Sequence, residues 1–174
     1  MASMRKNKLV IAFLCVAFVA VSAHAAVSVP NIIGSHMVLQ QGKPIPIWGK
    51  AAPGEVVTVT VDKKPVKTVA DPKGSWRVNL PKMKAGGPFE MTIAGKDNTL
   101  ALSDVLVGDV WLGSGQSNMQ MCVKDSNDSE KEIADAKYPN IHLFSVERTV
   151  AGEPRDNCKG EWVMCSPETV IAPG

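Results

Sequence analysis

The sequence predicts an all-β sandwich domain followed by the beginning of an α/β three-layer domain. Three observations carry this expectation. Short alternating apolar stretches separated by Gly/Pro turns fill residues 26–103; a nearly continuous apolar stretch from Val105 to Leu112 runs into a glycine-rich turn; and residues 1–25 are ordered basic, then apolar, then small. With 174 residues, 45% hydrophobic and 21% charged, the composition is that of an ordinary folded chain, which excludes a disordered or fibrous one.

The leader comes first. Arg5, Lys6 and Lys8 precede an unbroken apolar run from Leu9 to Val21, and Ser22, Ala23, Ala25 and Ala26 follow. This is the order of a secretory signal peptide with cleavage near Ala25, so the mature protein is expected to be secreted or periplasmic. The apolar run falls short of the ~20 residues a spanning helix requires, and no membrane contact is expected in the mature form. The formal charge of +2 belongs to this leader, which holds three basic residues and no acidic one. Beyond it there is no Lys/Arg cluster, so nucleic acid is not an expected partner. Cys122, Cys158 and Cys165 remain in the mature chain, an odd number that leaves at least one free thiol unless chains cross-link. Cys158 and Cys165 could pair in an oxidising compartment. No Cys/His spacing suits a metal, and no cofactor is expected.

In the stretch 26–103, Pro44 and Pro46 flank Ile45 and Ile47; proline donates no ladder hydrogen bond, so this segment is an edge strand or a bulge. Val57, Val59 and Val61 alternate with Thr58 and Thr60, the period of a strand. Lys64-Pro65 reads as a turn, and Asp71-Pro72-Lys73-Gly74 as a type I turn. Trp76, Val78 and Leu80 then alternate with polar residues, as do Phe89, Met91 and Ile93 after the break at Ala85-Gly86-Gly87-Pro88. Leu100 and Leu102 close a set of about seven short strands with no helical period between them, a sandwich pattern. Trp48, Trp76 and Trp162 lie among apolar strand residues and are expected in the core; Trp111, just before the glycine-rich turn, is the better candidate for a place near a site, although core packing is the expectation for it too.

From Asp104 the pattern changes. Val105-Leu106-Val107 and Val110-Trp111-Leu112 do not alternate, as expected of a central parallel strand covered on both faces. Ser129 and Glu132 stand at capping-box spacing, which predicts a short helix over 129–136 ending before Tyr138-Pro139. Ile141 to Val146 reads as a second buried strand, so the order is β, α, β. Trp162-Val163-Met164 is the only packing material in the remainder.

Between strand and helix lies Gly113-Ser114-Gly115-Gln116-Ser117-Asn118-Met119. A nucleophilic serine needs a sharp turn at the carboxyl end of a strand and backbone N–H groups nearby to receive an oxyanion, and the glycines permit such a turn. Gly/Ser/Asn clusters are also ordinary loops, and the spacing alone leaves both readings open.

The run Gly108-Asp109-Val110-Trp111-Leu112-Gly113-Ser114-Gly115-Gln116-Ser117-Asn118-Met119 resembles the signature of the sialate O-acetylesterases, members of the SGNH hydrolase superfamily. His36-Met37-Val38-Leu39-Gln40, Pro46-Ile47-Trp48-Gly49, Gly74-Ser75-Trp76-Arg77-Val78 and Trp162-Val163-Met164-Cys165-Ser166-Pro167 are similar to further segments of the same family. The resemblance implies a flavodoxin-like α/β catalytic domain that begins at residue 104 and continues to residue 174 as its amino-terminal part, an acetylated carbohydrate as substrate, and no cofactor or metal. It assigns the nucleophile and an oxyanion N–H to Ser117, with Gly115, Gln116 and Asn118 shaping the turn or touching substrate. The family's general base, a histidine in an Asp-x-x-His run, has no match: Val21, Ile33 and Pro139 stand three residues before His24, His36 and His142. The chain is therefore expected to be an incomplete and inactive esterase; His142 reads as a strand histidine rather than a substitute base. A non-catalytic carbohydrate-binding sandwich with a vestigial tail, or an acetylxylan-type esterase of the same superfamily, are the alternatives, and the fold alone does not choose the sugar.

Overall fold

Seven strands and the turns between them account for most of the first hundred described residues. A computed structural model describes residues 26–171, and the predicted leader lies outside them. The strands are β1 (Val38–Gln40), β2 (Ile45–Lys50), β3 (Val56–Val61), β4 (Lys64–Val69), β5 (Ser75–Leu80), β6 (Gly86–Ala94) and β7 (Thr99–Gly108). They form a curled five-stranded sheet in the order β1-β7-β6-β3-β4, antiparallel except for the parallel β1–β7 pair, and a separate β2–β5 ribbon.

The alternation read in the sequence sets the faces. Val57, Val59 and Val61 of β3 are buried beside Met91 and Ile93 of β6, while Thr58 and Thr60 face out. Ile45, Ile47, Trp76, Val78 and Leu80 of the ribbon close the same core from the other side. The Asp71 turn forms as expected: its Oδ1 accepts from the N–H groups of Lys73 (2.8 Å) and Ser75 (2.9 Å), and Gly74 takes the left-handed φ of 74°.

Two expectations in this region need correction. The turn read at Lys64-Pro65 lies two residues earlier, at Asp62-Lys63, both with positive φ, and Lys64 and Pro65 already belong to β4. Pro65 is tolerated because β4 is the edge of its sheet, where a missing N–H leaves no neighbour unpaired. The apolar Val105-Leu106-Val107 does run parallel to a neighbour, β1, but within the five-stranded sheet of the first segment and not between helices. It is the end of β7, which runs without interruption through Ser103 and Asp104 and pairs with both β6 and β1. Asp104, at φ 55°, shifts the alternation, so that Val105, Leu106 and Val107 are all buried.

Beyond β7 the chain makes two short three-ten turns, Ser117–Gln120 and Val123–Asp125, a helix α1 (Ser129–Asp135), and strands β8 (Tyr138–Phe144) and β9 (Trp162–Cys165). The helix is where the sequence puts it, but the capping box is not made. Asp128 is the N-cap, in a left-handed conformation, and no side chain caps the turn. The second segment is also not a parallel β-α-β unit, because β8 pairs antiparallel with β9. Among the described residues no helix is long and apolar enough to cross a membrane.

The β8–β9 pair is fastened to the loop that precedes β1. His142 Nδ1 bonds the carbonyl of His36, Trp162 Nε1 donates to the carbonyl of Ile32 at 2.9 Å, and Asn157 Oδ1 accepts from the Asn31 N–H at 2.9 Å. The tilted Phe144–Trp162 ring pair, 5.3 Å between centroids, backs this contact.

Candidate active site

The glycine-rich turn is built on the carboxyl end of β7. Asp109 to Gly115 leave the sheet as extended, exposed chain, and Ser117 to Gln120 then close a single three-ten turn in which the Met119 N–H reaches the Gln116 carbonyl at 2.9 Å. The Met119 side chain folds back over the glycines and would have to shift if either carried a side chain. A Cβ on Gly115 would stand 2.6 Å from Met119 Cγ, and one on Gly113 2.9 Å from its Cε.

Gly115, Gln116, Ser117 and Asn118 all lie at the surface. The Ser117 hydroxyl has no hydrogen-bond partner among the described residues. As the first residues of the three-ten turn, Ser117 and Asn118 carry backbone N–H groups that find no acceptor within it. The turn therefore offers a hydroxyl and two backbone N–H donors, and among the described residues no group stands against the hydroxyl to take its proton.

The histidines explain why. His142 is buried, with Nδ1 on the His36 carbonyl and Nε2 3.1 Å from the carbonyl of Pro139, so both ring nitrogens are engaged by the backbone. His36 pairs instead with Asp104, Nδ1 to Oδ2 at 2.7 Å, and the same carboxylate oxygen is 3.8 Å from His142 Nε2. The structure thus brings His36, Asp104 and His142 together at the seam between β7 and β8, and among the described residues no hydrogen bond or ion pair joins Ser117 to them. The sequence held no signal for this cluster, because its members are 68 and 106 positions apart or joined through a backbone carbonyl.

A cleft of about 1580 Å³ opens beside the turn, between the end of β7 and the β8–β9 pair. Leu106, Val107, Trp111, Cys122, Ile141 and His142 are among the residues that line it; residues 113–118 stay outside it. Trp111, expected to be packed, is 91% exposed at its rim. Trp162 does pack against the core and Trp76 is buried within it, whereas Trp48 is 37% exposed on the outer face of β2. Cys122, Cys158 and Cys165 are all free thiols.

No family model matches the chain. Individual proteins do. It is 40% identical to the sialate O-acetylesterase of Mus musculus, over 84% of this chain and 29% of that protein, and 43% identical to the enzyme of the same name from Rattus norvegicus, over 71% and 25%. Among solved structures, a carbohydrate acetylesterase from Xanthomonas citri aligns with a TM-score of 0.81 at 33% identity, covering 83% of this chain and 34% of that one. The chain thus spans between a quarter and a third of the length of these relatives.

Proposed function

The chain belongs to the sialate O-acetylesterase family, and from that premise we propose that it supplies the nucleophile-bearing part of a carboxylic ester hydrolase that removes acetyl groups from carbohydrates. The observation that carries this reading is the Ser117 hydroxyl, exposed and free of partners at the corner of the Gly-Gln-Ser-Asn turn. In the proposed reaction Ser117 Oγ adds to the acetyl carbonyl, and the Ser117 N–H donates to the oxygen as it becomes anionic. Collapse breaks the bond to the sugar oxygen, which leaves as the alcohol with the proton given up by the serine. Water then attacks the acetyl-enzyme and releases acetate. Gly115, Gln116 and Asn118 hold the turn's shape or meet the substrate. An exported protein, with residues 1–25 as leader, 26–103 as a β-sandwich and 104–174 as the first part of an SGNH-type domain, belongs to the same reading; β7 crosses the second of these boundaries.

The test is made on the protein that contains this chain together with the rest of its relatives' length. There Ser117→Ala should abolish hydrolysis of an activated acetyl ester, with loss of order ~10⁶ in rate as for a nucleophile in a serine triad. A tenth of the activity surviving would reject the assignment. The 174-residue chain alone should show only background hydrolysis, because no described residue is placed to deprotonate Ser117. Turnover by the chain that vanishes in Ser117→Ala would overturn that expectation and return His142 to consideration.

A further inference from the structure

The outer face of the β2–β5 ribbon carries side chains the core does not use. Alternation in β2 sends Ile45 and Ile47 inward, 2% and 0% exposed, and Pro46, Trp48 and Lys50 outward. Directly across the ribbon stand Asn79, Arg77 and Ser75 respectively. Trp48 therefore lies opposite Arg77, and Pro46 and Lys50 flank it along the strand. The Arg77 carbonyl accepts from Thr68 Oγ1 at 2.9 Å, which ties β5 to β4, while its guanidinium and the Asn79 amide have no partner among the described residues. Lys50 Nζ donates to Ser75 Oγ at 2.7 Å.

Charge separates the two halves of the chain. Residues 26–103 hold ten Lys and Arg against five Asp and Glu, whereas residues 104–174 hold six against twelve. Neither β2 nor β5 contains an acidic residue, and Asp71, which begins the turn before β5, is engaged by the N–H groups of Lys73 and Ser75. The ribbon face is thus an exposed indole set among cations, with a free amide and no competing carboxylate. An indole presents a flat apolar face for the C–H groups of a sugar ring. A guanidinium beside it forks onto a carboxylate with two parallel hydrogen bonds, and an amide serves ring hydroxyls as donor and acceptor.

We propose that this face is a second binding surface, remote in sequence from the Ser117 turn, for a carboxylate-bearing sugar. The choice of a saccharide rests on the carbohydrate reading given above. The geometry adds that the sugar is anionic and that Trp48 and Arg77 receive it.

The experiment follows the indole resonances of the ¹⁵N-labelled chain during titration with a sialylated trisaccharide that bears no acetyl group, with the desialylated sugar as control. No turnover is involved, so failure here leaves the esterase reading standing, and failure of Ser117→Ala to abolish hydrolysis leaves this one. The Trp48 Nε1–H resonance should shift and saturate with the acidic sugar. Trp48→Ala should weaken binding roughly fivefold, the size of one aromatic stacking contact, and Trp48→Phe should retain most of it. Arg77→Gln should erase the preference for the acidic over the neutral sugar. Trp48 lies outside the core, so these variants should keep the thermal transition of the parent. Absence of a shift, equal binding of the neutral sugar, indifference to Trp48→Ala, or equal binding of heparin or nucleic acid would each overturn the proposal.

Discussion

His142 directs both ring nitrogens at backbone carbonyls, and this decides what it can do. His142→Phe should fill much of the same space but leave whichever of the His36 and Pro139 carbonyls receives the ring N–H without its donor. The expected cost is about 1–3 kcal/mol, visible as faster amide exchange at Ile141–Phe144 and an earlier denaturation midpoint. Glu168 shows a smaller effect of the same kind. The Ser166 hydroxyl, 2.6 Å away, together with a backbone hydrogen bond, holds its exposed carboxyl below the ordinary carboxylate range. A lowered value means that the contact stabilises the turn above the unfolded pKa and is lost as pH falls through the folded one. Ser166→Ala should move the Glu168 titration upward, read by NMR of the side-chain carboxyl carbon. At this scale the Ser117 turn was legible as a candidate because its pattern is local: two glycines and a serine within five residues. The seam cluster was not, since neither the left-handed φ of His36 and Asp104 nor a hydrogen bond across 106 positions leaves a local trace.

The strands of the first half were legible wherever burial is one-sided, as in β3, where valine and threonine alternate and so do their exposures. β4 was missed because it holds Pro65 and all six of its positions are exposed or half-exposed, which resembles turn chemistry, and only edge placement makes it a strand. The end of β7 was misassigned for the opposite reason. Three consecutive buried residues mimic a two-sided parallel strand when a single left-handed residue has shifted the register. One element junction is sharply constrained. Gly49 lies where β2 meets the bridge from Ser28 to Lys50, and a Cβ there would sit 2.8 Å from Trp76 Cζ2 and closer still to the Ser28 carbonyl. Gly49→Ala should cost about 3 kcal/mol as overpacking that neither backbone nor indole can relieve. Urea denaturation of the variant beside the parent measures it, and a shift under a third of this size would show that the bridge yields.

Over the whole molecule, order and exposure divide unevenly. The first seven strands share one core, whereas Trp111, Leu112 and Val150 are 91%, 92% and 99% exposed in the segment that follows. Such surface promotes association, and Trp111→Ser with Leu112→Ser should lower the apparent mass of the chain in light scattering without altering its thermal transition. The sequence suggests a protease-resistant core ending near Asp104. With β7 intact to Gly108 and β8–β9 tied to the loop before β1, limited proteolysis should instead cut within 109–128 and 146–160 and leave the 138–144 peptide bound to the larger fragment. Mass spectrometry of the digest before and after denaturation distinguishes the two outcomes.

The three hydrogen bonds that fasten β8 and β9 span 106, 126 and 130 positions of chain. Contacts this distant close only after the intervening polypeptide exists, and they close late in refolding because loop entropy is lost before any contact is gained. During synthesis, residues 31–36 are therefore exposed on the ribosome well before Trp162 is made. The seven-strand core can assemble in that interval, at ~5–20 residues added per second, and the Pro30–Met37 loop then waits as a preformed socket, so the second segment docks onto a finished surface rather than folding alongside it.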